Sequence, residues 1–339
     1  LLGALPHRSA AQALDISRKY AGALLSWPQL PQRSFHEQHL VQSVTGFPGL
    51  VVDAAAALVY VDRTAAEQRL DELSLAFLEH AVQYAALSSD DAAGFTELTR
   101  VPAGRELLAI KGQVLGPISA AMQLTDEREQ PLIYDDVLFD ALAHLLRLRV
   151  SWQELRLSEV APSTIICVDE PLLEAATLPF FPQDWERVYD QIDEVLGGIT
   201  GCRALYAGGI VDLNGLMQTS VELLIAEMAT YRQSFNTSAT TLIEFLERGG
   251  IVGLGIIPAN EEQLAQASVD QICAEFAAFL THLEALGVAP EHLTRQTVIT
   301  PAGSLGYLSI GAAERALQGA NVRHLSAPRC RSRSSHRGR

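Results

Sequence analysis

Residues 164–171, Thr-Ile-Ile-Cys-Val-Asp-Glu-Pro, restrict the fold more than any other stretch of this chain. A run of β-branched and apolar side chains stops at two carboxylates and a proline. The run is too short for a helix. It is also too uniformly apolar for a strand with one face in water, where polar and apolar residues alternate. It predicts a strand buried on both faces, as in a parallel sheet. Pro171 has no N–H to donate and ends the ladder. Asp169 and Glu170 then stand at the carboxyl end of a buried strand. In barrels of alternating strands and helices, that end carries the chemistry.

The same alternation runs along most of the sequence. Strands are predicted at 1–5, 26–30, 107–115, 164–168, 203–207, 221–226, 251–257 and 297–300. Between them fall amphipathic stretches with helical spacing, at about 10–24, 64–87, 135–157, 184–196, 240–248, 268–286 and 310–318. Ser9 and Thr64 are placed to cap the first two, and Gly249-Gly250 to stop the fifth. Eight strands separated by helices predict an α/β fold of the (β/α)8 TIM-barrel class. The competing arrangement is an open doubly wound sheet. It is disfavoured because no Gly-x-Gly-x-x-Gly follows the first strand. Residues of about 31–105 read as an insertion between the second and third strands, with a helix near 36–44 and a hairpin from 49–52 and 57–61. Residues 1–322 would then form one domain, and 323–339 a basic, disordered tail.

Composition narrows the partners. At 48% hydrophobic over 339 residues, the chain can bury a large core. No apolar stretch reaches the ~18–20 residues that span a bilayer, so no membrane partner is expected. No signal peptide is visible, and because the chain opens on Leu1 rather than Met, a short preceding piece is expected. Net charge is −15, and residues 323–339 hold six arginines and no acid, so the body before the tail is more acidic still. Such a body repels nucleic acid. The four cysteines lie far apart with no Cys-x-x-Cys pair, which fits reduced thiols and a cytoplasmic setting. Nothing here fixes an oligomeric state.

The strand ends supply the candidate site residues: His7 and Arg8 after the first, Lys111 in the third, Asp169 and Glu170 on the fourth, Tyr206 on the fifth and Glu227 on the sixth. Asp169 combines a strand-end position with acid chemistry. Lys111 is one of only two lysines and lies inside an apolar strand, where a charge needs a partner or a wet cavity. Asp169 or Glu170 would serve, as a structural ion pair or beside a substrate. Tyr206 is either barrel filling or an acid–base group. His7 and Arg8 either contact substrate or merely lead into the first helix. His36 and His39 are three apart and would share one helix face, but without a third ligand they read as exposed helix residues. No Gly-x-Ser-x-Gly elbow, Walker-type loop or His-Glu-x-x-His is present.

Several of these segments resemble one known family. Gly3-Ala-Leu-Pro-His7, Trp27-Pro-Gln-Leu-Pro31, Lys111-Gly-Gln-Val-Leu-Gly-Pro117, Ile166-Cys-Val-Asp-Glu-Pro171, the stretch 246–258 and Ile299-Thr-Pro-Ala-Gly-Ser-Leu-Gly306 look, in order, like the catalytic barrel of cobalamin-independent methionine synthase. The likeness is strongest to its short single-domain relatives, in the superfamily of uroporphyrinogen decarboxylase. It runs from Leu1 to about Gly319. The resemblance implies a (β/α)8 barrel, a methyltransferase of methionine biosynthesis, and methyl transfer to the thiol of homocysteine on a zinc ion that favours the thiolate. It also implies that Asp169 helps hold the substrate's amino group.

The departures from that family are specific. The family's His-x-Cys pair falls on Tyr206 and Gly208, and its later cysteine on Gly303. Only the acidic ligand position, Glu227, keeps a suitable side chain, and the family's substrate-contacting serine is Ala4. A zinc site needs about three protein ligands, so no zinc and no other cofactor is expected. The expected reading is a diverged barrel of this methyltransferase type, with Lys111, Glu170 and Tyr206 as catalytic candidates and Asp169, His7, Arg8 and Glu227 as substrate contacts. The expected partner is a small molecule, such as an amino-acid-like thiol. The alternatives are a non-catalytic or re-purposed barrel that binds an amino-acid-like or anionic metabolite, and a decarboxylase-like activity that uses Arg8 and Arg33 on carboxylates.

Overall fold

The computed structural model describes residues 3–21, 24–100 and 107–320; the basic tail and parts of the first strand and the insertion lie outside these residues. In chain order the strands are β1 (Leu24–Ser26), β2 (Leu50–Asp53), β3 (Leu58–Val61), β4 (Ala109–Leu115), β5 (Thr164–Glu170), β6 (Cys202–Ala207), β7 (Leu223–Glu227), β8 (Ile251–Ile257) and β9 (Thr297–Pro301). Seven of them make one parallel sheet in the order β1-β4-β5-β6-β7-β8-β9, while β2 and β3 pair as the antiparallel hairpin expected within 31–105.

The sheet is curled. On its concave side Cys167, Ala204, Tyr206, Leu223 and Ile225 pack into a small cluster. The residues between them, including Ile166, Val168, Leu205 and Leu224, join the main core on the helix-covered side. Alternation along each strand produces this division. The long helix Asp136–Leu157, capped by Asp135, lies on β4 and β5, and contributes Leu142, Leu145, Leu146 and Val150 to that core.

Among the described residues the sheet has seven strands of the expected eight. Residues 3–5 attach beyond β1 by a single parallel bridge between Ala4 and Gln29. The Leu5 N–H donates to the Gln29 carbonyl (2.9 Å) and the Gln29 N–H to the Gly3 carbonyl (3.0 Å). Among the described residues no ladder joins this segment to β9. The result is a half-barrel. Its two edges are tied by a side chain, since Gln32 Nε2 donates to the Gly306 carbonyl at 3.0 Å.

Residues 31–100 differ from expectation in two places. The helix expected over 64–87 is broken into Arg63–Glu67 and Leu70–Leu78 followed by a 3-10 turn at Val82–Ala85, and Asp62 rather than Thr64 is the cap. His80, at φ 52°, takes the left-handed conformation that ends the second piece. The helix expected near 36–44 is also two elements, a 3-10 turn Phe35–Glu37 and the helix His39–Val44. Gln38 between them is extended, with ψ 142°. The second element sits on the carboxyl end of β4, where the Leu115 N–H donates to Ser43 Oγ at 2.9 Å.

Glu170 has a structural task. It alternates with Asp169 and points to the helix-covered side. Its carboxylate accepts the N–H groups of Ile118 (2.9 Å) and Ser119 (2.7 Å), at the start of the helix Pro117–Gln123. Gly116, in the N-cap position, has no side chain to do this. Burial raises the Glu170 pKa to about 7, against these hydrogen bonds. Glu170, expected among the catalytic candidates, does not line the cavity at the carboxyl ends of the strands. Replacing Glu170 by Ala is expected to lower stability by roughly 1–3 kcal/mol, because the helix donors stay buried and unpaired. Urea unfolding of the two proteins measures this.

Candidate active site

The carboxyl ends of the strands surround a cavity of about 230 Å³. Its wall includes Ala4 and Gln29 from the bridged segments, Leu115 from β4, Asp169 from β5, Tyr206 from β6, and Ser304 and Tyr307 after β9. Glu37 and His39 complete the wall from the segment that follows β1. Residues far apart in sequence meet here because parallel strands all deliver their carboxyl ends to one side.

Asp169 is the central polar group. Register places it between Leu115 of β4 and Tyr206 of β6. It is 8% exposed, and its Oδ1 has no hydrogen-bond partner. Its nearest cationic or potentially cationic neighbour is His39, whose Nε2 lies 3.8 Å from Asp169 Oδ2, too far for a hydrogen bond. That imidazole nitrogen is also unpartnered. Burial lowers the His39 pKa, opposed by Asp169 and assisted by Lys111, and so favours the neutral ring.

His39 was expected to be an exposed helix residue, yet its side chain is 27% exposed and lines the cavity. The break at Gln38 explains the difference. It turns His36 toward Asp91 (3.7 Å) and His39 toward Asp169, so the two histidines do not share a face. Glu37 was likewise passed over. It is fully buried, accepts from Arg33 Nη1 (2.5 Å) and from the Ala93 N–H (3.1 Å), and keeps Oε2 unpartnered. Burial raises its pKa. Its position after Arg33 at i, i+4 was the only sequence signal for this pair.

Tyr206 spans the mouth. Its hydroxyl donates to the Ala302 carbonyl at 2.9 Å, from β6 to the turn after β9. Burial raises its pKa well above the usual phenol range, and the carboxylates of Glu227 and Asp169 add to the shift. Asp169 and Glu227 thus act on the same phenol. Glu227 is half-buried at the end of β7, with its pKa raised by burial and by Glu174.

Lys111 lies two layers below Asp169 in the wall of the sheet and is fully buried. It makes no ion pair with Asp169 or Glu170. Its ammonium instead donates to Gln113 Oε1 at 3.1 Å, and Gln113 Nε2 continues to the Trp27 carbonyl at 3.2 Å. His7 and Arg8 are elsewhere. His7 is 4% exposed, with its pKa lowered by burial against the opposing effect of Glu314, and Arg8 faces a separate surface hollow with Ser9 and Ser309. Neither lines the cavity around Asp169. Arg33, the other arginine suggested for substrate carboxylates, is taken up by Glu37.

The positions where the resembled family holds zinc do not fit a metal. Tyr206 is engaged with Ala302. A β-carbon at Gly208 would lie 2.5 Å from the Pro171 carbonyl oxygen and 2.6 Å from its α-carbon, so this backbone has no room there for any side chain. Gly303 offers no ligand atom. Among the described residues, no three His, Cys, Asp or Glu side chains converge as they would around a metal ion.

Comparison with known proteins identifies a fold. The chain is similar in structure to a methyltransferase from Methanosarcina mazei, at 15% identity and a TM-score of 0.54, and to a candidate vitamin-B12 independent methionine synthase from Listeria monocytogenes, at 10% identity and a TM-score of 0.51. Each match covers 93% of this chain and 84% of the other. No protein-family model and no curated protein matches the sequence. Among the described residues no helix is long and apolar enough to cross a membrane.

Two substitutions test the mouth as described. Tyr206→Phe is expected to cost about 0.5–1.5 kcal/mol, the net worth of one hydrogen bond. Gly208→Ala is expected to cost more, on the order of 2–3 kcal/mol, since the Pro171 backbone must move. Thermal or urea unfolding of both variants gives the ranking.

Proposed function

We propose that this chain is a diverged barrel of the methionine synthase-like methyltransferase type that binds a small amino-acid-like ligand at the mouth without a metal. Residues 3–5 serve as its eighth stave, beside β1. Asp169 grips the ligand's ammonium group. One observation carries this reading: Asp169, a buried carboxylate with an unpartnered oxygen, lines a cavity of ligand size, while among the described residues no ligand set for a metal converges. A buried charge is costly unless something pairs with it. A ligand cation of amino-acid size satisfies that requirement.

The fold likeness and the ordered motifs support the methyltransferase-type ancestry. The site does not support the family's thiol activation by zinc. Of the remaining chemistry, Tyr206 is tied to Ala302 and Lys111 to Gln113, so neither is poised as a free acid–base group. Binding of the ligand is therefore the function the geometry supports best, in a cytoplasmic protein without nucleic-acid or membrane partners. The decarboxylase-like reading loses its support because Arg8 and Arg33 do not line the cavity.

Thermal unfolding with L-methionine and L-homocysteine as probes tests the proposal. Binding to the native state stabilises by about 2.7 kcal/mol at 100 times Kd, so a rising Tm that saturates is expected. Asp169→Asn should abolish it. The purified protein should carry no stoichiometric zinc and should not methylate homocysteine from methylfolate. Absence of any stabilisation by amino acids, or zinc bound in equal amount, would overturn the reading.

A further inference from the structure

His39 lines the cavity wall, and neither the sequence pattern nor the resembled family gives it a role there. We propose that His39 and Asp169 form a two-point grip selective for a primary ammonium, in which Nε2 of the neutral imidazole and the Asp169 carboxylate accept N–H bonds from the same ligand nitrogen. This rests on the preceding reading and names the group that sets its specificity.

The two side chains stand at a spacing that one donor nitrogen can bridge. His39 Nε2 and Asp169 Oδ2 are 3.8 Å apart, and both His39 Nε2 and Asp169 Oδ1 are buried without partners. An ammonium nitrogen makes bonds of about 2.8–3.0 Å. Two acceptors 3.8 Å apart can therefore share one such nitrogen, with a third N–H left for another cavity oxygen. A trimethylammonium group has no N–H to offer. A ligand lacking the amino group would leave His39 Nε2 and Asp169 Oδ1 buried and unpaired.

A proton competes for the same place. Once His39 is protonated, Nε2 becomes a donor and the imidazolium itself pairs with Asp169. The charged groups acting on His39 are Asp169 on β5 and Lys111 on β4, and Glu37, Tyr206 and Tyr307 are titratable residues of the same cavity wall. Burial and Lys111 hold the His39 pKa below its ordinary value, outweighing Asp169. Because the grip needs the neutral ring, ligand affinity is flat near neutral pH and falls as pH drops through that lowered pKa.

Isothermal titration of the full chain tests this, with three probes: L-methionine, its N,N,N-trimethyl derivative and 4-(methylthio)butanoate. The wild type is expected to bind L-methionine alone with appreciable affinity. His39→Leu should weaken it about tenfold or more, the value of a lost hydrogen bond to a charged group. His39→Gln keeps an acceptor oxygen that does not titrate. It should bind within about threefold of wild type and lose the acid decline that the wild type shows. This variant also decides the matter if His39→Leu fails to fold. Equal binding of the trimethyl probe, unchanged affinity in His39→Leu, or an acid decline that persists in His39→Gln would overturn the two-point grip while the Asp169 site stands. No binding of L-methionine by the wild type would overturn both.

Discussion

The register of β5 between β4 and β6 is the constraint from which the rest follows. Parallel pairing on both sides fixes which way each side chain of the strand points, and one residue separates the two faces. Two adjacent carboxylates are thereby sent to opposite sides of one sheet. Asp169 enters the mouth of the half-barrel with an oxygen unpartnered, while Glu170 enters the helix layer and closes the start of a helix. A shift of one residue would exchange them. The acid that now caps a helix would face the cavity, and the helix would lose its cap.

The far side of the mouth is held by small residues and one long one. Gly208 lets the turn after β6 pass against the backbone at Pro171, and Tyr206 reaches across to Ala302. This arrangement gives close backbone packing and a hydrogen bond across the opening.

The segment between β1 and β4 supplies what the strands do not. Its break at Gln38 separates Glu37, held by Arg33 and the Ala93 N–H, from His39, which turns to Asp169. A continuous helix would have presented His36 and His39 on the same side. One extended residue converts a surface-like pattern into part of a cavity wall. Lys111 has the opposite history. Its charge inside an apolar strand suggested a carboxylate partner, but the amide of Gln113 takes the ammonium and passes the contact on to the Trp27 carbonyl.

Local composition determined the strands and the helices that pack on them. β-branched runs ended by proline or glycine gave β5, β8 and their neighbours to within a few residues, and Asp135, Asp184 and Ser268 cap the helices whose starts they mark. Asp169 was legible for the same reason, since its position depends only on where its own strand ends. Glu170, His39 and Glu37 were not, because their roles depend on elements distant in sequence: a helix fifty residues earlier, a strand end across the mouth, a backbone kink. Strand propensity is a property of neighbours along the chain, whereas the direction of a side chain and the company it keeps are set by pairing register and packing. These belong to the tertiary structure alone.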